Sequence, residues 1–251
     1  YGLDQPLIVQ YKNYMVGVLH GDFGVSLKTD RPISDIIGES FPISAKLGLL
    51  AALVAIVAGV VLGSIAALMR NKWPDRIIVF FVTLITSMPS FVIATLLLYF
   101  FCIKLGVVQA FNSGSNMVFL PVLSLSLSPM AYITRLTKTS MLDALGQDYI
   151  RTAKAKGVSQ AKVIFVHGLR NALIPVITYV GPMIGGILTG SMVIESIFNI
   201  GGLGSKFVSC ITNRDYTMIM ATTLFLAVIM VFANLITDIV YKLVDPRISL
   251  D

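Results

Sequence analysis

Five long stretches of this sequence carry no charged side chain, and that feature confines the chain to few folds. Leu47 to Met69 is uncharged for 23 residues, Ile77 to Ile103 for 27 and Met117 to Thr134 for 18. Asn171 to Ile194 is uncharged for 24 and Tyr216 to Thr237 for 22. A helix of the first length reaches ~34 Å, against a bilayer hydrocarbon core of ~30 Å. Inside lipid the backbone must bond to itself, which leaves helices as the way to span. The third stretch is the least regular, with Pro121 and Pro129 around Ser124, Ser126 and Ser128. In water it would read as a loop or strand; in lipid it reads as a kinked helix buried among neighbours. The expected fold is all-α: a polytopic helical membrane protein with five transmembrane helices.

The rest of the composition follows from the spans. Charged residues make up 13% of the 251, about half the usual share of roughly 25% in soluble domains. The net charge of +6 is not a nucleic-acid signal, because the basic residues sit between the apolar stretches. Cys102 and Cys210 are too few for a disulfide framework, and Cys102 lies inside an apolar stretch, where it reads as packing.

Basic residues also set the orientation. Arg70, Lys72 and Arg76 separate the first two spans, and Arg135, Lys138, Arg151, Lys154, Lys156, Lys162 and Arg170 separate the third and fourth. Both segments are expected in the cytoplasm. The sequence then divides into an external segment 1–43, a membrane domain 44–245 with a cytoplasmic insert 140–167 and an external loop 195–215, and a cytoplasmic tail 246–251. An exported segment at the start, with nothing upstream to export it, implies a further transmembrane helix before Tyr1 in the natural protein.

Small residues recur at four-residue spacing: Gly59 and Gly63 in the first span, Gly181 and Gly185, then Gly186 and Gly190, in the fourth. Such faces let helix backbones approach closely, within this chain or across a dimer. Pro89, Pro175 and Pro182 interrupt the second and fourth spans; broken helices line many translocation paths and are also common in ordinary membrane packing.

Soluble-enzyme chemistry is missing. There is no phosphate loop, no His-Glu-x-x-His and no Cys-x-x-Cys; Gly201-Gly202-Leu203-Gly204-Ser205-Lys206 has the wrong order for a phosphate loop and reads as a turn or re-entrant segment. His20 and His167 fall on opposite sides of the membrane and cannot share a metal. No catalytic residue, metal site or cofactor is expected. Lys104, Arg135, Glu195 and Asp238 all read as lying at span ends, so no ionisable group is expected at mid-membrane. That disfavours the alternative of an ion-coupled secondary transporter or channel, and a membrane scaffold would not need the insert.

In the insert, Met141, Leu142, Leu145, Tyr149, Ile150 and Ala153 recur at helical spacing, with Arg151, Lys154 and Lys156 on other faces. Gly157 is placed to end that helix, and Ser159 to cap a second short one through Val166. The pair either lies on the anionic inner leaflet or forms a knob that docks into a cytoplasmic partner, with Tyr149, Ile150 and Ala153 as its apolar face.

The run Asp148-Tyr149-Ile150-Arg151-Thr152-Ala153-Lys154-Ala155-Lys156-Gly157 resembles the coupling motif of ABC importer permeases, which inserts into a cleft on the ATPase. The continuation through His167-Gly168-Leu169-Arg170-Asn171-Ala172-Leu173-Ile174-Pro175 resembles the dipeptide, oligopeptide and nickel branch. Gly2-Leu3-Asp4-Gln5-Pro6-Leu7, Gly21-Asp22-Phe23-Gly24-Val25-Ser26-Leu27, Gly201-Gly202-Leu203-Gly204 and Asn213-Arg214-Asp215-Tyr216 agree with that branch. The general motif opens Glu-Ala-Ala and closes Ile-x-Leu-Pro; here Arg151-Thr152-Ala153 and His167-Gly168-Leu169-Arg170 stand at those places, a variant common in the peptide branch. The resemblance implies a six-helix permease that pairs with a second homologous permease, two cytoplasmic ATP-binding subunits and an external solute-binding protein. It implies half of a translocation pathway in the cell membrane and ATP hydrolysis in the partner subunits.

Overall fold

The computed structural model describes residues 4–108 and 118–244. Among the described residues the chain is helical, with only an isolated bridge between Val25 and Pro32. The helices are α1 (Leu7–Leu19), α2 (Ile33–Leu68), α3 (Trp73–Ser87) and α4 (Ser90–Lys104, π-helical over Tyr99–Lys104). Then come α5 (Phe119–Leu145), α6 (Asp148–Ala155), α7 (Gln160–Ala172, π-helical over Val163–Leu169) and α8 (Ile174–Gly190). Last are α9 (Met192–Ile197), α10 (Leu203–Asn213) and α11 (Tyr216–Val244). Three of these, α2, α5 and α11, are long and apolar enough to cross a membrane alone. The pairs α3–α4 and α7–α8 qualify together, bent by 106° and 45°.

The elements differ from the uncharged stretches in instructive ways. Helix α2 starts 14 residues before Leu47, so position 43 lies inside a 36-residue rod. Such a rod is ~54 Å long, and Asp35, Glu39 and Lys46 are carried on its exposed side while Ile33, Ile36, Ile37, Ser40 and Ser44 face inward. The stretch Ile77 to Ile103 is uninterrupted by charge but is not one helix. Pro89 has no N–H to donate and disfavours helical backbone at the residue before it. Met88 is accordingly extended, at φ −106° and ψ 137°. The serine- and proline-rich stretch is helical: Pro121 sits in the first turn, where no N–H partner is needed. Ser124 Oγ donates to the Leu120 carbonyl at 2.8 Å and Ser126 Oγ to that of Leu123 at 2.9 Å. Met117 lies outside the described residues.

One apolar cluster runs along the bundle, with Leu47, Ala51 and Ala55 of α2, Leu120 and Ile133 of α5, and Met183 and Ile187 of α8. At one end of α2, Ile33, Ile36 and Ile37 pack with Leu203, Met218 and Leu226. At the other, Ala67 packs with Met141 and Ala172. The exterior stays apolar, with Leu53, Val57, Phe80, Phe232 and Ile236 all exposed, which in lipid carries no hydrophobic penalty.

The six glycines divide by geometry. A Cβ on Gly59 would lie 2.7 Å from Ile133 Cγ2, and one on Gly63 would lie 2.6 Å from the Thr134 carbonyl oxygen, so α2 meets α5 with no room for a side chain. A Cβ on Gly181 would collide with Thr237, which brings α8 against α11. Gly185 makes ordinary contact with Met230, and a Cβ on the exposed Gly186 would meet nothing within 4 Å. Among the described residues, no side chain packs where a Cβ on Gly186 would stand. The surroundings of Gly190 lie outside the described residues.

Candidate functional site

The basic end of the bundle carries the insert. Helix α5 ends at Leu145, so Met141 to Ala153 is not one continuous helix; Gly146 and Gln147 intervene before α6. Two orphan carbonyls at the end of α6 are then satisfied by a left-handed cap. Gly157, at φ +76°, donates its N–H to the Lys154 carbonyl at 3.0 Å, and Val158 donates to that of Ala153 at 3.2 Å. The second helix starts after Ser159, whose side chain makes no cap bond, and continues past Val166 to Ala172. It packs on α5 at Gly168, where a Cβ would come 3.0 Å from Leu145 Cδ2.

This leaves α6 as a small, mostly uncovered knob. Asp148, Tyr149, Arg151, Thr152, Lys154, Ala155, Lys156 and Gly157 are exposed and Ala153 is half-buried. Asp148 and Arg151 form an ion pair at 3.4 Å that is almost fully in solvent. Tyr149 stays on the surface, with its hydroxyl accepting from Asn171 Nδ2 at 3.1 Å. Ile150 behaves otherwise: it is 1% exposed, so it anchors the knob to its own chain and is not part of an apolar docking face. Helical periodicity puts Ile150 beside Tyr149 and Ala153 but does not say which neighbour covers it. The outward apolar surface is instead completed by Phe165 and Val166 of α7, both exposed.

Just inside this end, Lys138 of α5 reaches Asp75 in the first turn of α3 at 2.5 Å, and Asp75 also accepts the Asn71 N–H at 3.0 Å. Asp75 is buried, so the pair fastens α3 to the helix that leads into the knob. One turn along, Arg135 Nη2 donates to Thr86 Oγ1 near the far end of α3, at 3.2 Å. Helical side chains lean toward the N-terminus of their helix, and α5 continues 11 residues beyond Thr134. Arg135 thus stands one turn inside Lys138, and its guanidinium acts deeper than its own Cα, beside the far end of α3.

The opposite end is held by two carboxylates, Asp215 and Glu195, whose partners the sequence does not reveal. Asp215 caps α11 and accepts from Ser26 Oγ at 2.6 Å, Thr217 Oγ1 at 3.0 Å, and the N–H groups of Met218 and Leu27 at 3.2 Å. It thus ties the Gly21–Leu27 motif to the Asn213–Tyr216 motif. Burial pushes its carboxyl up, but those four donors outweigh burial and hold it below the ordinary aspartate value. Glu195 is fully buried; it accepts from Ser191 Oγ at 2.6 Å and from the Ser205 N–H at 3.0 Å. Ser44 accepts the Leu203 N–H at 2.8 Å. The free N–H groups at the start of α10 are thus capped by α2 and α9 rather than locally, and Gly202 supplies the room that the Glu195 carboxylate needs. Beside Asp215 lies a cavity of about 150 Å³, lined by Lys28, Arg31, Glu39 and Lys206 among others.

A carboxyl with a depressed folded-state pKa stabilises above its unfolded value, and that stability is lost as pH falls through the folded one. Hydrogen exchange of residues 24–31, corrected for intrinsic rates, should therefore accelerate only below about pH 4 in the wild type. In Asp215→Ala it should be at least about tenfold faster at pH 7, from loss of a cap worth ~1 kcal/mol together with the bonds to Ser26 and Leu27.

Known proteins resemble this arrangement along the whole chain. The family model of binding-protein-dependent transport system inner membrane components matches residues 59–250. The dipeptide transport system permease protein DppB of Bacillus subtilis is 47% identical over 253 residues, covering 100% of this chain and 82% of the relative. The oligopeptide transport system permease protein OppB of Haemophilus influenzae is 44% identical over 252 residues, covering 99% and 82%. Among solved structures, the inward-facing MetNI methionine ABC transporter superposes with a TM-score of 0.69 at 14% identity, over 83% of this chain and 96% of that one. An amino acid ABC transporter solved with histidines gives 0.67 at 14%, over 83% and 94%; at such identities these two share the fold. The chain is a multi-pass membrane protein and belongs to the family of binding-protein-dependent transport system inner membrane components, the permease subunits of ABC importers.

Proposed function

We propose that this permease subunit imports short peptides, with Asp148 to Gly157 as the element that receives force from a cytoplasmic ATPase. The observation that carries the substrate is the extent of the likeness: relatives 41–47% identical over essentially the whole chain are dipeptide and oligopeptide permeases. The coupling role is supported by the exposed, glycine-ended knob at the basic end, which positive-inside topology places in the cytoplasm. In this reading the chain pairs with a second, homologous permease and two ATP-binding subunits. The Asp215 and Glu195 end faces an external solute-binding protein.

Arg135 does not revive an ion-coupled mechanism, because a guanidinium stays protonated and relays no proton. Uptake of a labelled dipeptide into vesicles holding the complete complex should require ATP and persist when an ionophore collapses the ion gradients. Uptake that stops with the ionophore while ATP is still supplied would refute the assignment.

A further inference from the structure

We propose that an uncovered polar stripe centred on Arg135 lines the solute path, and that its guanidinium binds the free carboxylate of the passing peptide. The inference rests on the peptide reading above and adds the residues that contact the solute.

Tyr132, Arg135 and Thr139 stand three and four residues apart, so they share one face of α5, and this chain leaves all three exposed. Thr86 of α3 joins them through its bond to Arg135. Tyr179 of α8 joins through Tyr132, with ring centroids 4.3 Å apart. The stripe is deep. Arg76 marks the basic edge of α3, and Thr86 is ten residues further on. That is ~15 Å of helix, about half of a ~30 Å hydrocarbon core.

Polar and charged side chains at that depth face a protein interior or a water-filled cavity, not acyl chains. Elsewhere the exposed surface of the spanning helices carries apolar groups, such as Val57 and Phe232, and hydroxyls that bond back to their own helix, such as Thr95 and Thr223. The face bearing Arg135 is therefore one that lipid does not cover.

Charge then selects the ligand. Lys138, one turn away, is taken by Asp75, whereas Arg135 pairs with no carboxylate among the described residues. A threonine hydroxyl occupies one of its five N–H donors. The remaining planar fork matches a carboxylate, which it holds by two parallel bonds. An unmodified peptide brings one such group at its C-terminus, and the tyrosine pair offers aromatic surface and hydroxyls to the remainder.

The test uses the complete complex in liposomes with ATP and its binding protein, and compares one short peptide as the free acid and as the C-terminal amide. Binding-protein preference is common to every variant and cancels in the ratio. Arg135→Gln should raise the apparent KM for the free acid by at least about tenfold while leaving that for the amide within about twofold. Arg135→Lys should keep most of the preference for the acid. An unchanged acid-to-amide ratio in Arg135→Gln would overturn the inference and leave the peptide reading intact. So would an equal loss of both peptides, which is what a guanidinium paired with a carboxylate of the second permease predicts. A wild-type complex that imports neither peptide would overturn the peptide reading and this inference together.

Discussion

Leucine in place of Gly63 should leave little folded permease in the membrane. A Cβ at Gly63 would stand 2.6 Å from the backbone oxygen of Thr134 and 2.6 Å from Thr137 Cβ; one at Gly59 would stand 3.0 Å from the Met130 oxygen. These are main-chain atoms or stiff β-branched side chains, so no flexible tip can swing away. The two helices must part instead, and the shared cluster of Leu47, Ala51, Ala55, Leu120 and Ile133 parts with them. Overpacking of this kind costs ~1–3 kcal/mol per site, and occasionally more. Gly63→Leu should lower the Tm of the detergent-solubilised protein by about 5–10 °C and reduce membrane yield several-fold. Gly186→Leu is the informative comparison, because a Cβ there meets nothing within 4 Å among the described residues. Its Tm should stay within about 2 °C of wild type, the shift expected for ~0.5 kcal/mol. If Gly186→Leu instead separates the subunit from its partner permease, that part of the small-residue face belongs to the interface between them. A Gly63→Leu protein with wild-type Tm and yield would show that α2 and α5 do not rely on the close approach.

Much of the fold was legible because absence of charge is a strong signal in a membrane chain. The limits lay where a decisive residue was uncharged or distant in sequence. Pro89 turns the chain by 106° inside a stretch that composition alone reads as one helix. The start of α2 was hidden by Asp35, Glu39 and Lys46, although Ile33, Ile36, Ile37, Ser40 and Ser44 kept helical spacing throughout; the periodicity was the better guide there. Gly157 was readable because a left-handed cap has a local cause. Ile150 was not, since a period of 3.6 names a face without naming its cover. Asp215 before Tyr216 could have been read as a helix cap, but its bond to Ser26 joins residues 189 apart, and one sequence gives no sign of that pairing. Arg135 acts deeper than its place in the chain suggests for a simple geometric reason: a long side chain acts several ångströms from its own Cα.

The coupling knob yields the largest expected effect on transport, and the structure sharpens which substitutions test it. Gly157→Arg strains the left-handed cap by ~1–2 kcal/mol and projects a long side chain from the tip of the knob. Among the described residues a Cβ at Gly157 meets nothing within 4 Å, so the bulk falls where a partner must approach. Ala153→Asp puts a charge on the half-buried flank of the same helix. Both should insert normally, because the spans are untouched, and both should reduce ATP-driven uptake by at least about tenfold, the equivalent of ~1.4 kcal/mol lost from a snug contact. The complexes should either lose their ATPases on purification or hydrolyse ATP without moving peptide. Lys154→Ala should change uptake less than about twofold, since an exposed ion pair is worth ~0–1 kcal/mol. Ile150→Asp belongs to a different class: it buries a charge at a position 1% exposed, and should unfold the knob along with the function. If α6 and α7 merely lie on anionic lipid, the order reverses. Removing Lys154 and Lys156 together would then be the damaging change, through attraction worth ~1 kcal/mol per cation, and Gly157→Arg would add a favourable charge. ATP hydrolysis and uptake measured for both sets in one liposome preparation separate the two. A Gly157→Arg complex that keeps its ATPases and transports at the wild-type rate would remove α6 from the coupling path.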